Sequence, residues 1–222
     1  MTAGPADTHL EGRDDGPVAE PCLPVLNIDY DQAVSDLGAY GWALAAQALP
    51  AGSGDLLAED NGRTWTVAGD EGVVRQHVIG SYTPYAETLP LVRAVGDQLI
   101  AGLSAAATKR ARPSLPAFNE ATWGRYPAGT GHITAHRDPG AYGGIIAAFT
   151  LAGGATFRAW SAEGQVAEWQ TGPGQLVVLR GVGWPEPDSQ CPLHEVDPPV
   201  EGERRIMTLR HNLGGAGAGY TV

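Results

Sequence analysis

Cysteine is scarce in this chain of 222 residues, which contains only Cys22 and Cys191. Two cysteines are too few for a disulfide framework, and no Cys-x-x-Cys pair is present to indicate a zinc site. Such cysteine usage fits a reducing compartment, so we expect a cytoplasmic protein.

Long apolar runs and positive charges are also scarce. No stretch approaches the roughly 20 consecutive apolar residues of a membrane-spanning helix, and no basic segment followed by an apolar run marks a signal peptide. The 14 Lys and Arg residues are outnumbered by 25 Asp and Glu residues, which gives a formal net charge of -11. An acidic surface repels phosphate backbones, so a nucleic-acid partner is disfavoured and a small-molecule partner is favoured. The sequence leaves the oligomeric state open.

Glycine and proline are abundant by contrast, with 31 and 17 residues. They predict many turns, which favours short strands over a helical bundle. Residues 1–22 combine Gly, Pro and acidic residues with few apolar ones, which is typical of a flexible tail. We expect residues 23–222 to form one domain, in which a helix-and-strand portion (23–112) precedes a strand-rich core (113–212).

The N-terminal portion contains two predicted helices. The first covers residues 29–37 and ends at Gly38 or Gly41. The second covers residues 87–110, where apolar residues recur every three or four positions in an amphipathic pattern. Strands are predicted at 42–49, 64–67 and 73–79, and residues 50–62 are predicted to form a loop.

After Pro113 the pattern changes to short apolar segments separated by glycine-rich turns. Eight strands are predicted there, near residues 120–126, 131–137, 144–151, 154–160, 165–170, 174–180, 192–197 and 203–211. Such a series of short strands is typical of a sandwich, a jelly roll or a barrel. The predicted fold class is therefore mainly β, with α-helices in the N-terminal portion.

The segment from Gly131 to Asp138 carries the first indication of chemistry. Side chains two apart in a strand share a face, so His136 and Asp138 can point into one cavity. His194, which follows a strong predicted strand, is the best candidate for a third ligand. Two imidazoles and one carboxylate on one face of an octahedral ion leave three positions open, which suits iron(II). His132 shares the predicted strand parity of His136, but we interpret it as a packed or exposed strand residue.

Two arginines in the last predicted strand indicate an anion near this centre. Arg204 and Arg210 are six residues apart, so a regular strand places both on one face. Inward guanidinium groups need anions to pair with, and a dicarboxylate is the natural partner because arginine forms forked bonds to carboxylates. Arg205 is the alternative to Arg204, since a β-bulge would exchange their faces.

Three motifs taken together resemble those of the 2-oxoglutarate- and iron(II)-dependent oxygenases. They are His136-x-Asp138, the distal His194, and Arg204-x5-Arg210 in the terminal strand. The resemblance covers residues 118–212, and the first half of the chain matches no motif of this superfamily.

Within that superfamily the chain is most similar to the AlkB-like branch. The strand before the His-x-Asp motif ends in Arg-Tyr in that branch, as it does here at Arg125-Tyr126. Two positions depart from the branch: an Asn in its last strand is Ile206 here, and the Asn two residues before its Tyr is Gly124. The spacing from Tyr126 to the His-x-Asp motif also differs by one residue.

The resemblance implies a double-stranded β-helix, also called a jelly roll, and we expect the N-terminal helices to pack on one of its sheets. It implies Fe(2+) as the catalytic metal, held by the His-x-Asp motif and the distal histidine, with 2-oxoglutarate and O₂ as cosubstrates. Tyr126 and Arg204 would bind the far carboxylate of 2-oxoglutarate, and Arg210 would approach the carboxylate nearer to the metal.

The expected function is hydroxylation, or another oxidation, of a C–H bond in a small molecule such as an amino-acid derivative or a biosynthetic intermediate. Two alternatives stay open. An AlkB-like oxidative demethylase of alkylated nucleobases requires a basic groove near the metal. A jelly-roll binding protein would bind a metal without turning over 2-oxoglutarate.

Overall fold

The computed structural model describes residues 23–58, 65–69 and 74–216, so the tail predicted for residues 1–22 lies outside the described residues. Three α-helices occur in the described part: α1 (Tyr30–Ala39), α2 (Ser53–Leu57) and α3 (Pro90–Lys109). Its strands are β1 (Trp42–Ala45), β2 (Thr66–Ala68), β3 (Gln76–Pro84), β4 (Glu120–Tyr126), β5 (His132–His136), β6 (Tyr142–Ala152), β7 (Thr156–Trp160), β8 (Val166–Gln170), β9 (Leu176–Arg180), β10 (Leu193–Val196) and β11 (Arg204–Asn212).

The strands form a curled antiparallel arrangement with two faces. One sheet has the order β1-β9-β6-β11-β4-β3, and the order continues from β3 through β5-β10-β7-β8 in the second sheet. Strand β3 belongs to both sheets, because residues 79–84 pair with β4 while residues 76–77 pair with β5. This architecture is a jelly roll and confirms the predicted fold class. Strands β4 to β11 correspond to the eight strands predicted after Pro113.

Alternation along β9 shows how the first sheet separates two hydrophobic cores. Leu176 and Val178 face a core that they share with the helices. Val177 and Leu179 face the interior of the jelly roll. All four side chains are at least 97% buried, and each contributes roughly 1.5–3 kcal/mol relative to an exposed side chain.

Helix α3 supplies much of the outer core. Its buried residues Val92, Val95, Leu99 and Leu103 recur at intervals of three and four, as the amphipathic pattern predicts. Helix α1 packs beside α3 and against β1. The N-terminal helices therefore cover one sheet, as expected. No helix in the described residues is long and apolar enough to cross a membrane.

The N-terminal portion differs from its prediction most clearly between residues 42 and 62. Helix α2 lies inside the segment predicted as a loop, and the predicted strand 42–49 ends at Ala45. Tertiary contacts explain the helix: Leu57 is fully buried, and its carbonyl accepts a hydrogen bond of 2.9 Å from the Trp123 indole. A Cβ atom at Gly54 would lie 2.3 Å from the Leu151 carbonyl oxygen, so only glycine allows this close approach.

Candidate metal centre

Strands β5 and β10 bring together the three residues predicted to hold a metal. His136 is the last residue of β5, Asp138 follows two residues later, and His194 is the second residue of β10. These two strands are antiparallel neighbours, and His194 lies directly opposite His136 in their register. Strand pairing across a long stretch of chain thus places the distal histidine beside the His-x-Asp motif.

The three side chains form a compact group of metal-ligand atoms. One donor atom from each residue lies within 4.8 Å of the others. The Asp138 carboxylate oxygens are 3.9 Å from His136 Nε2 and 3.8 Å from His194 Nε2. About nine-tenths of each side chain is buried. Small rotations would therefore bring all three donors onto one ion, shielded from bulk water.

Main-chain carbonyls fix the orientation of both imidazole rings. His136 Nδ1 lies 2.9 Å from the Thr134 carbonyl oxygen, and His194 Nδ1 lies 3.0 Å from the Pro192 carbonyl oxygen. A carbonyl oxygen only accepts hydrogen bonds, so each Nδ1 carries the proton and each Nε2 presents a lone pair. Phe157 stacks on His194 with the ring planes 7° apart. The rings are therefore held in the tautomer and direction that metal binding requires.

The electrostatics of the group favour the unprotonated ligands. Burial tends to raise the pKa of Asp138, but His194, Arg210 and His136 together hold this pKa below its ordinary value. Burial lowers the pKa of His194, which keeps its imidazole neutral at physiological pH. Metal ions bind the deprotonated forms of both residue types, so this environment prepares the site for a cation.

A bulge in β5 changes the face that His132 occupies. Val196 pairs with Ile133, whereas His194 pairs with His136, so β5 has one extra residue between these pairs. Ile133 and His136 therefore share the inner face, and His132 lies on the opposite one. Its Nδ1 is 2.8 Å from the carbonyl oxygen of Thr130. His132 is accordingly a strand residue outside the centre, as we interpreted it.

Arg204 is a buried guanidinium inside the jelly roll. It is 2% exposed and lies opposite Tyr126 in the β11–β4 register, with its guanidinium carbon 5.1 Å from the Tyr126 ring centre. Its Nε and Nη1 atoms have no hydrogen-bond partner, and Nη2 is 3.5 Å from Thr150 Oγ1. Burial lowers the pKa of Arg204 and raises the pKa of Tyr126. The interior thus presents a positive charge and a phenolic hydroxyl beside each other.

Arg205 lies on the other face of β11. It forms an ion pair of 3.6 Å with Asp55 of α2 and is about one-third exposed. The pairing of β11 with β4 has a regular register, so no β-bulge exchanges the faces on which Arg204 and Arg205 lie. Of the two arginines, Arg204 is the one that faces the interior.

Arg210 faces the metal end of the same strand. It is 3.8 Å from Glu120 Oε1 and lies 4.8 Å from the centre of the Tyr142 ring. Glu120 is fully buried and also accepts a hydrogen bond of 3.2 Å from Asn212. The motif analysis did not identify Glu120. Glu120 and Tyr126 are six residues apart in β4, so their side chains lie on the same face of the strand. This spacing was the one sequence feature that indicated an inward position for Glu120.

The two departures from the AlkB-like pattern lie across from each other. Gly124 pairs with Ile206, and a Cβ atom at Gly124 would lie 3.1 Å from Ile206 Cγ1. An apolar side chain and a glycine therefore occupy the positions where that branch has two asparagines.

A cavity of about 620 Å³ between α1 and β1 shares no residue with the metal centre.

Solved structures with the same fold include several oxygenases. A prolyl-4-hydroxylase from Pseudomonas putida matches with a TM-score of 0.60 and 21% identity, over 82% of this chain and 98% of that chain. An oxidoreductase of the 2OG-Fe(II) oxygenase family from Burkholderia pseudomallei matches with a TM-score of 0.57 and 15% identity, over 95% and 97% of the two chains. The structure of OsALKBH1 matches with a TM-score of 0.55 and 14% identity, over 78% and 97%.

At these identities the comparisons establish a shared fold. Neither a protein-family model nor a curated protein matches the chain. Structures described as a prolyl hydroxylase and as ALKBH1 match with similar scores. The AlkB-like placement therefore stays a prediction from the motifs.

Proposed function

We propose that this protein is an iron(II)- and 2-oxoglutarate-dependent oxygenase that hydroxylates a C–H bond of a small-molecule substrate. One observation carries the proposal. Two imidazoles and a carboxylate converge inside a jelly roll, in the same interior as a buried arginine that has two nitrogen atoms without a partner. The first group suits a divalent metal, and the arginine suits an anionic cosubstrate.

His136, Asp138 and His194 would hold the iron. Their donor set of two nitrogens and one oxygen is that of iron(II) oxygenases that keep three positions open. When bound, iron(II) with 2-oxoglutarate and O₂ supplies the oxidation of a C–H bond, while 2-oxoglutarate is converted to succinate and CO₂. The role of this chain is to aim the two Nε2 atoms, keep the carboxylate ionised and exclude bulk water.

Arg204 and Tyr126 would bind the far carboxylate of 2-oxoglutarate. Each of the two edges of the Arg204 guanidinium, Nε/Nη2 and Nη1/Nη2, includes one of the orphaned nitrogens, so either edge has a free donor for the forked bonds that a carboxylate accepts. Burial keeps the Tyr126 hydroxyl protonated, so it donates to the same group. Arg210, whose charge acts on Asp138, would approach the carboxylate at the metal end.

A small-molecule substrate fits the charge distribution better than an oligonucleotide does. Several described arginines are already paired with carboxylates, among them Arg112, Arg125, Arg158 and Arg205. Their charges are thus partly neutralised, which weakens the attraction of a phosphate backbone. The formal net charge of -11 acts in the same direction.

An anaerobic titration with iron(II) and 2-oxoglutarate tests the proposal. We expect a weak visible charge-transfer band in the wild type and its loss in Asp138→Ala, because removal of one ligand opens the metal site. His132→Ala, on the outer face of the same strand, should keep the band. After O₂ is admitted, only variants with the band should release succinate. Full succinate release from Asp138→Ala would contradict the assignment of the metal ligands.

Succinate release also separates the substrate classes. We expect stimulation by small molecules and none by alkylated oligonucleotides. Stimulation by the oligonucleotides alone would favour the AlkB-like demethylase. Metal binding without succinate release under any condition would favour a binding protein.

A further inference from the structure

The indole nitrogen of Trp169, in β8, is buried and has no hydrogen-bond partner among the described residues. An indole N–H can only donate, and a buried tryptophan usually finds an acceptor for it. Two other tryptophans follow this rule, since Trp123 donates to the Leu57 carbonyl oxygen and Trp184 to the Pro113 carbonyl oxygen. The described residues thus leave the Trp169 donor without an acceptor in a place that water does not reach.

Alternation along β8 turns Trp169 towards the interior of the jelly roll. Its neighbours Glu168 and Gln170 are exposed, whereas Trp169 packs against the core inside the jelly roll. The indole ring stacks on Phe157 with the ring centres 5.0 Å apart, and Phe157 stacks in turn on the metal ligand His194. One aromatic ring therefore stands between Trp169 and the metal centre.

Arg204 lies at the same end of this interior as Trp169. The turn between β6 and β7 contacts both segments: a Cβ atom at Gly153 would lie 3.0 Å from Arg204 Cα, and a Cβ atom at Gly154 would overlap the Thr171 carbonyl oxygen. Thr171 is two residues after Trp169. Strand β11 belongs to the first sheet and β8 to the second, so the two side chains enter the interior from facing sheets.

Tyr126 links the two groups, and its surroundings lack the amides of related chains. Its ring belongs to the core against which Trp169 packs, and the ring centre is 5.1 Å from the Arg204 guanidinium carbon. Gly124 and Ile206 stand on the same two strands at the positions where the AlkB-like branch has asparagines. This chain therefore lacks two amide groups there, and the indole N–H offers a donor from the facing sheet.

We propose that the Trp169 indole N–H donates to the far carboxylate of 2-oxoglutarate, as a third donor beside Arg204 and Tyr126. This inference rests on the proposed function, because it concerns the cosubstrate of that reaction. An ionised carboxylate only accepts hydrogen bonds and has about four acceptor positions, so it can satisfy all three donors. The bond would be strengthened by the charge of the carboxylate and by the absence of water.

Indole and guanidinium signals test this contact without catalysis. The full chain is labelled with ¹⁵N-tryptophan and ¹⁵N-arginine, loaded with zinc(II) in place of iron, and titrated with 2-oxoglutarate or 2-oxopentanoate. The second compound has the same carbon chain without the far carboxylate. We expect 2-oxoglutarate to shift the Trp169 Nε1–H and Arg204 Nε–H signals along one saturation curve. 2-Oxopentanoate should leave the Trp169 signal near its free position.

A phenylalanine variant measures the strength of the contact. Trp169→Phe removes the N–H and keeps an aromatic ring on Phe157, so it should raise the Kd for 2-oxoglutarate about 10- to 100-fold and leave the Kd for 2-oxopentanoate unchanged. Trp160→Phe is the matched control. It lies on β7, where Phe157 and Ala159 face the interior and Trp160 faces outwards, and it should bind both compounds as the wild type does.

Two sets of results separate this inference from the proposed function. Saturation of the Arg204 shift without movement of the Trp169 signal, or a wild-type Kd in Trp169→Phe, would overturn the indole contact and leave the oxygenase assignment standing. Equal Trp169 shifts with 2-oxopentanoate would also overturn it, because the indole would then touch the carbon chain. If neither signal moves with 2-oxoglutarate up to about 10 mM, the cosubstrate assignment fails together with the inference.

Discussion

Replacing Arg204 with methionine should make the ligand-free protein more stable and at the same time weaken cosubstrate binding strongly. The guanidinium is 2% exposed, and two of its nitrogens have no partner. Replacing a buried charge by an apolar side chain of similar volume often stabilises a protein by about 1–4 kcal/mol. For a chain of this size, each kcal/mol raises the melting temperature by roughly 2–4 °C. We therefore expect the ligand-free variant to melt several degrees above the wild type.

Cosubstrate binding should change in the opposite direction. Removing one partner of a buried, hydrogen-bonded ion pair typically costs about 3–5 kcal/mol. A loss of 3 kcal/mol corresponds to an increase of roughly 100-fold in Kd. Saturation with 2-oxoglutarate at about 100 times Kd should stabilise the wild type by roughly 2.7 kcal/mol. The same concentration should have little effect on Arg204→Met.

Calorimetric melting with and without 2-oxoglutarate, in the presence of manganese(II), measures both effects. Arg205→Met is the matched control, since Arg205 is the next residue, faces outwards and pairs with Asp55. It should keep the stabilisation by 2-oxoglutarate. The reasoning is refuted if Arg204→Met melts below the wild type without ligand and still gains stability from 2-oxoglutarate, or if Arg205→Met is the variant that loses it.

Three further predictions concern pH, packing and backbone conformation. The metal-free protein should lose stability as the pH falls below 6.5, because burial lowers the pKa of His194 in the folded chain, so that the unfolded chain takes up the proton first. Urea unfolding midpoints measured against pH should show this loss. The His194→Gln variant should show a smaller dependence on pH. Leu99→Ala should cost about 2–5 kcal/mol in urea unfolding and leave the 2-oxoglutarate Kd unchanged, since Leu99 is fully buried in the outer core. Gly153 has a φ of +61°, and a Cβ atom there would lie 3.0 Å from Arg204 Cα, so Gly153→Ala should destabilise the fold by more than about 1 kcal/mol and also weaken 2-oxoglutarate binding. Gly164 has a φ of +79° but no atom within 4 Å of its Cβ position. Gly164→Ala should therefore destabilise the fold and leave 2-oxoglutarate binding unchanged.

The eight core strands could be predicted because each is a short segment, either alternating or continuously apolar, that glycine or proline turns separate from the next. Helix α3 could be predicted for a similar reason, since its buried residues recur at helical spacing. Helix α2 could not, because its five residues include Gly54 and its stability depends on the burial of Leu57 against distant elements. Sequence patterns therefore predict a helix or strand when its formation depends on residues within that element.

The metal centre could be predicted as a set of residue types but not as a geometry. The His-x-Asp motif and the distal histidine are recognisable by type, while their meeting depends on the register of β5 against β10. The bulge that separates His132 from His136 has no signature in the segment itself. Glu120 was missed because a carboxylate at an inward position is explained only by Arg210 on the neighbouring strand.

The carbonyl groups of Thr134 and Pro192 have a consequence for how this protein tolerates change. Every residue has a carbonyl group, so substitutions at these two positions leave the acceptors for the histidine protons in place. The surrounding sequence can therefore change extensively while both imidazole rings keep their orientation. The orientation of the rings would be lost only if the main chain itself moved, through an insertion, a deletion or a change in strand register.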